Sequence, residues 1–350
     1  MPIRTPRLRW LGLLGAAVVL TTAACGSSAK TGAPPTTNPA APAATGGSTS
    51  STAGHPFKVA IVAPSAVNDL AFTESMVSAV QSLKQKYDLQ IAISDNQYVV
   101  SDAANLIRQY ASEGYNLVIA HGSQYGSTVE QLAPQFPKVS FAWGTAGSTF
   151  NQPNIFAYQA ASNEGGYVQG YMAGLMSKSK TIGVIGPINV GDAQLYVDGF
   201  KQGVLAADKT ANVKVTFTGS FSDVGLMATA AKAYIANGAD VLTGSSQSVV
   251  GAIGVAKAAK AAWFGTQWDQ SSLAPTAVVS CQVYNWVPVL DQIFTAIKGG
   301  KLGGATYTIG LGNGGEKIQF NPGYPLSPSV KAAGEKEITA IVDGTLTPAQ

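Results

Sequence analysis

The residues best suited to chemistry sit in short turns that follow apolar runs. Asn68-Asp69, His121-Gly122-Ser123-Gln124-Tyr125, Thr145-Ala146-Gly147, Gly219-Ser220-Phe221, Gly244-Ser245-Ser246-Gln247 and Gln267-Trp268-Asp269 are rich in Gly, Ser, Gln, Asp and aromatic rings. Neutral donors and acceptors interleaved with rings suit the capture of an uncharged polar ligand such as a nucleoside or a sugar. Material for bond-breaking is scarce. The chain has 2 His and 2 Cys, too few for a zinc cluster or a disulfide framework, so neither metal nor cofactor is expected. Cys281 and His121 both fall near strand ends and make a conceivable nucleophile and base, but no third group is indicated to orient the imidazole. Within Val278-Val279-Ser280-Cys281, the thiol reads as a small buried hydrophobe. No G-x-S-x-G elbow and no G-x-x-x-x-G-K-S/T loop occurs. Gly310-Leu311-Gly312-Asn313-Gly314-Gly315 satisfies G-x-G-x-x-G, yet Glu316 to Phe320 alternates like a strand where a dinucleotide site needs a helix. A hairpin turn is expected there.

Regular elements must position these turns. Lys58 to Ala63 is a continuous apolar strand pattern, followed by helical spacing at Phe72, Met76, Val80 and Leu83. Strand and helix then alternate through Leu89–Ile93, Ala103–Ala111, Leu117–Ala120, Val129–Phe136 and Val139–Trp143. After Ile155–Tyr158 the theme restarts and runs to Trp263-Phe264-Gly265. Continuous apolar strands between amphipathic helices mean parallel sheets covered on both faces. A chain of 350 residues exceeds a single core, so the expected class is α/β with two doubly wound parallel-sheet lobes. In such sheets, ligands bind outside the carboxyl ends of the strands, where the polar turns fall. The expected organisation is 57–160 plus about 284–310 for lobe 1, 161–283 for lobe 2, and 311–350 packing near the hinge. Charged residues make up only 12% and the formal net charge is +3, with Arg4, Arg7 and Arg9 all in the first nine residues. The near-neutral remainder argues against a nucleic-acid partner, which requires clustered basic charge.

The amino terminus reads as an export signal. Arg4, Arg7 and Arg9 precede the apolar run Trp10–Leu20 and small residues ending Thr22-Ala23-Ala24-Cys25, so 1–24 fits a signal peptide. Cys directly after Ala-Ala resembles the bacterial lipobox, in which the thiol is acylated; an ordinary signal peptide with a nearby Cys is the plainer alternative. Residues 26 to 54 are dominated by Gly, Ser, Thr, Ala and Pro, too polar to bury a core, so 25–56 reads as a lipidated Cys and a tether. The expected location is the extracytoplasmic face of the cell membrane, held by lipid on Cys25. His55 falls in the tether and is expected to be inert.

From about Lys58 to Asn321 the chain resembles the basic membrane protein family, the purine-nucleoside-receptor-like solute-binding lipoproteins of ABC importers. The resemblance is carried by Asp69-Leu70-Ala71-Phe72-Thr73, Asn163-Glu164-Gly165-Gly166-Tyr167-Val168-Gln169-Gly170, Thr181 to Gly186, Asp198-Gly199-Phe200-Lys201-Gln202-Gly203, Gly219 to Asp223, Asn237 to Val241 and Gly265 to Gln270. It implies a type I periplasmic-binding-protein fold, a ligand in the interlobe cleft, no enzymatic activity, a monomeric receptor, and an ABC permease with its ATPase as partners. It also implies site residues: Asp69 as a polar contact, Phe72 and Phe221 as facing walls, with Thr73 where the family motif ends in Asn. Gln267 stands where nucleoside-binding members typically carry an acid, and Tyr284 where they carry a Lys. Both are expected to hydrogen-bond the ligand, along with Asp269 and with Ser123, Gln124 and Tyr125 on a third loop.

Each position also has a structural reading. Asp69 fits a helix cap, Phe72 and Phe221 fit core residues, Asp269 fits a bond within its own turn, and Glu164 fits a helix start. Trp268 should point opposite to Gln267 and Asp269 if strand alternation continues. Other functional readings are a lipid-anchored sensory binding protein and a hydrolase on a similar scaffold.

Overall fold

The computed structural model describes residues 56–350; the expected signal peptide, Cys25, His55 and nearly all of the expected tether lie outside the described residues. In chain order the elements are β1 (Phe57–Val62), α1 (Phe72–Ser82), α2 (Lys84–Tyr87), β2 (Leu89–Ser94), α3 (Val100–Ser112), β3 (Leu117–His121), α4 (Gly126–Leu132), β4 (Ser140–Gly144) and β5 (Ile155–Ala160). There follow α5 (Ser162–Met176), β6 (Thr181–Gly186), α6 (Gly191–Ala207), β7 (Asn212–Phe217), α7 (Val224–Ala236), β8 (Val241–Gly244), α8 (Val250–Ala259), β9 (Ala262–Gln267) and β10 (Val278–Tyr284). The chain ends with α9 (Val287–Lys298), β11 (Ala305–Ile309), β12 (Glu316–Phe320) and α10 (Pro328–Val342).

The strands form two six-stranded sheets, ordered β11-β5-β4-β3-β1-β2 and β12-β10-β9-β8-β6-β7. Every pairing is parallel except β12 against β10. The two orders repeat one doubly wound plan, and in each the winding direction reverses beside the first strand of the lobe. Alternation along β1 shows how both faces are covered. Val59 and Ile61 pack with Met76, Val80, Leu290 and Ile293 on one side, while Ala60 and Val62 pack with Ala103, Ile107 and Val129 on the other. Each such fully buried aliphatic side chain contributes about 1.5–3 kcal/mol of transfer free energy.

In the second lobe, α5 and α6 approach until their backbones touch. A Cβ on Gly170 would meet the Phe200 carbonyl oxygen at 2.0 Å, and one on Gly203 the Tyr167 oxygen at 2.0 Å. The glycines of the E-G-x-Y-x-x-G and D-G-F-K-Q-G segments are therefore packing surfaces.

The chain passes between the sheets three times: from β5 into α5, from β10 into α9, and from β11 into β12. The third passage is the G-x-G-x-x-G segment. It is not a hairpin, because β11 and β12 lie at the edges of different sheets. Asn313 holds it: its Oδ1 accepts from Gly310 N and Gly315 N, each at 3.0 Å, and its amide donates to Thr308 O at 2.8 Å. Glu164 adds a strut by accepting from Leu311 N at 2.8 Å. Residues 311–350 thus supply an edge strand to the second sheet, and α10 lies against α5, with Ile341 in that lobe's core.

Candidate functional site

The carboxyl ends of β1, β3 and β4 face those of β6 to β9 across a narrow cleft. The first lobe contributes Pro64, Phe72, Gly122, Ser123, Gln124 and Thr145. The second contributes Pro187, Val190, Asp192 and Ala193 around the start of α6, then Phe221, Ser245, Ser246, Gln247 and Gln267. Lobe closure leaves a cavity of about 20 Å³, room for a water-sized molecule. A nucleoside-sized guest requires the lobes to part.

The wall at Phe72 is built to be rigid. Its ring stacks on His121 with centroids 3.7 Å apart and planes 9° from parallel, and meets Trp286 edge-on at 6.3 Å. His121 is buried, with Nε2–H donating to Phe72 O at 3.0 Å and Nδ1 accepting from the Tyr158 hydroxyl at 2.7 Å. Burial pushes its imidazole down to about 3, so it is neutral across the physiological range. Facing it, the Phe221 carbonyl accepts from the Ser246 hydroxyl at 2.7 Å, which ties that loop to the end of β8.

Of the ligand contacts expected from the sequence, Phe72, Ser123, Gln124, Phe221 and Gln267 meet in this cleft. The other expected contacts are placed elsewhere. Asp69 is occupied by its own turn: Oδ1 accepts from Ala71 N at 2.9 Å and Glu74 N at 3.1 Å, and Oδ2 from Thr73 N at 3.1 Å and the Ser65 hydroxyl. Thr73 is fully buried against Ser65. Tyr125 is buried and donates to Gln97 O at 2.6 Å. Asp269 accepts from Ser271 N and from the Gln319 amide. Tyr284 shares a hydrogen bond of 2.6 Å with Ser162 at the first passage between the lobes. Trp268, Asp269 and Tyr284 instead border a second hollow of about 690 Å³, together with Ser75, Ser78 and Lys317. The alternation expected past β9 stops because Gln267 has φ of +71°, a left-handed turn that aims its side chain into the cleft and swings the next two residues away.

Comparison with known proteins gives the family and the fold. The family described as ABC transporter substrate-binding protein, PnrA-like, matches residues 57–343. The chain belongs to this family. A purine-binding protein of Brucella abortus (strain 2308) is 30% identical over 248 residues, spanning 71% of this chain and 69% of that protein. An ABC transporter nucleoside-binding protein of Lactococcus lactis is 27% identical over 323 residues, 85% of this chain and 91% of its own. Among solved structures, an ABC transporter solute-binding protein of Aeropyrum pernix K1 superposes with a TM-score of 0.72 at 17% identity, covering 84% and 94% of the two chains. That likeness shows the shared fold: two α/β lobes of the periplasmic-binding type.

Within this substrate-binding frame, sequence reasoning missed Asp192. It sits in the first turn of α6, where an acid reads as an ordinary complement to the helix dipole. Only 7% of its surface is exposed, and Oδ2 has no hydrogen-bond partner. Burial pushes its pKa up to about 6, opposed by the nearby Thr145 and Tyr284 hydroxyls. Thr145, Ser245, Ser246 and Gln247 were visible as polar turns but not as a set with Asp192.

The hydrolase reading finds no support in the geometry. Cys281 lies on β10 of the second lobe, while both nitrogens of His121, in the first, are occupied by Tyr158 and Phe72. Burial pushes the Cys281 thiol up to about 12, leaving no thiolate to attack. Among the described residues no group of three or more His, Cys, Asp or Glu could hold a metal ion, and no helix is long and apolar enough to cross a membrane.

Proposed function

We propose that this chain is the extracytoplasmic, lipid-anchored solute-binding protein of an ABC importer, capturing a small polar ligand, nucleoside-like or sugar-like, between its lobes. The observation that carries the reading is the convergence of Phe72, Ser123 and Gln124 from one lobe with Phe221, Gln247 and Gln267 from the other on a single cleft. Two phenyl rings supply apolar faces, and amides and hydroxyls supply directional bonds, the pairing that polar ring compounds require. Two relatives are named for purine and nucleoside binding, which favours the nucleoside-like class.

Contacts from both lobes to one ligand favour the closed arrangement, and closure is the signal read by a permease. The Gln270 amide already reaches Leu70 O across the cleft at 3.3 Å, so part of the closed contact is made by the protein itself. A lipid on Cys25 would keep the receptor near its permease at high effective concentration.

The test is a thermal-shift screen of nucleosides and sugars on the purified protein. A genuine ligand at a hundredfold excess over Kd stabilises by about 2.7 kcal/mol. Phe72→Ala should abolish the shift, and an unchanged shift would put the site outside this cleft. Labelled palmitate should enter the wild type and not Cys25→Ser, which should leave the membrane fraction.

A further inference from the structure

The orphaned polar atoms of the molecule are not scattered evenly. Among the described residues, Asp192 Oδ2, Ser245 Oγ, Gln247 Oε1 and Gln267 Oε1 are all buried without a hydrogen-bond partner, and all four residues line the same cleft. Buried polar atoms in folded proteins are nearly always paired, so a cluster of unpaired ones facing one cavity marks groups that a guest completes. Asp192 stands out among them. An ionised carboxylate can only accept, and no Lys, Arg or His lines the cleft to balance it. The strain at Gln267, a bulky residue at φ of +71°, lies at the same place.

We propose that Asp192 is the specificity-determining residue of the cleft, and that the ligand it selects is uncharged and presents at least two adjacent O–H or N–H donors to its carboxylate. This rests on the cleft being the ligand site. The donor pair is either the vicinal hydroxyls of a pentose or the N–H edge of an amino-substituted base, both of which fit an acceptor-only wall. Anionic ligands such as nucleotides are excluded, because the lining offers a lone negative charge and no cation.

Two other carboxyls near Asp192, Glu316 and Glu164, are also raised by burial, and the Asp192→Asn variant separates its titration from theirs. Thr145 and the start of α6 are neutral, and burial raises the Tyr158, Tyr284 and Glu316 side chains well above their ordinary values. Glu316 also accepts from the Gln282 amide at 2.7 Å. His121, behind Phe72, stays uncharged. The part of the affinity change between pH 7 and pH 5 that Asp192→Asn removes therefore reports on Asp192.

Titration calorimetry on the full-length protein at pH 7 and pH 5 tests this with guanosine, inosine, 2′-deoxyguanosine, 2′-deoxyinosine and guanosine 5′-monophosphate. The wild type should bind at least one of the first four, more weakly at pH 5, and reject the monophosphate. Asp192→Asn should bind about ten- to a hundredfold more weakly at pH 7 and lose the pH dependence; Asp192→Ser provides the same loss should the amide rearrange. Loss with the deoxy compounds assigns the pair to the sugar, and loss with the inosines assigns it to the base. Equal binding by wild type and both variants overturns the role of Asp192 and leaves the cleft as the site. Failure of the wild type to bind any of the panel overturns the nucleoside-like reading along with it.

Discussion

The two lobes wind the same way yet furnish the cleft with opposite kinds of wall. On the first lobe, Phe72, His121, Tyr158 and Trp286 form one stacked and edge-on aromatic group. Its polar atoms are matched: His121 bridges Phe72 O and Tyr158, and Trp286 Nε1–H donates to the Ser75 hydroxyl at 2.9 Å. On the second lobe, Asp192, Ser245, Gln247 and Gln267 keep buried polar atoms unmatched. A saturated wall adds to stability and holds a fixed shape, whereas an unsaturated one costs stability until something donates to it. The same contrast separates two aspartates. Asp69 is saturated by its turn, whereas Asp192 Oδ2 is left without a partner.

The comparison breaks most readily at His121. His121→Ala leaves the Tyr158 hydroxyl and the Phe72 carbonyl unpartnered and opens a cavity, so chemical denaturation should show a loss of about 3–5 kcal/mol. A loss below about 1 kcal/mol would mean that the first wall is not the rigid one. Next is Asp192. Its folded pKa of about 6 lies above its ordinary 3.8, so its contribution is present below pH 3.8 and lost as pH rises through 6. Asp192→Asn should therefore stabilise the ligand-free protein by about 3 kcal/mol at pH 7, with the gain vanishing near pH 4.

His121 has the opposite sign. Its folded pKa of about 3 lies below its ordinary 6.5, so its contribution is full above pH 6.5 and drains as pH falls toward 3. Between pH 6 and 4 the two partly cancel in the wild type. Between pH 6 and 4 stability should fall toward acid in Asp192→Asn and rise toward acid in His121→Gln; parallel curves for all three would erase the contrast. A smaller effect is expected from Asp69→Ala, which removes acceptors from the first turn of α1 and should cost about 1–2 kcal/mol with little change in ligand affinity. The smallest is Gln267→Gly. Relief of the left-handed backbone should raise stability by about 1 kcal/mol while weakening binding, and lower stability would show that the Gln267 side chain is a structural strut.

Much of the scaffold was legible. Continuous apolar strands such as Lys58–Ala63 and Leu117–Ala120 demanded sheets covered on both faces, and the repeat of the pattern after Ile155 demanded a second lobe. Ser123, Gln124, Phe221 and Gln267 could be placed on one cleft because each lies at the carboxyl end of a parallel strand, which faces the crevice, whereas Phe72 came from the family resemblance. Asp269 and Tyr284 could not be placed that way: a single residue with positive φ redirects the first, and the second lies behind Asp192, against Ser162. The G-x-G-x-x-G segment misled for a related reason. Its flanking strands look the same locally whether they pair with each other or with strands in two different sheets.

Sequence alone determined which stretches are strand or helix and which turns are polar, because periodicity and residue size act between near neighbours. Only the folded arrangement decided which turns meet and which polar atoms are left unmatched when they do. Saturation depends on partners from distant parts of the chain. Asp69 and Asp192 look alike as acids beside helix starts, and what surrounds them in space saturates one and leaves an oxygen of the other unmatched.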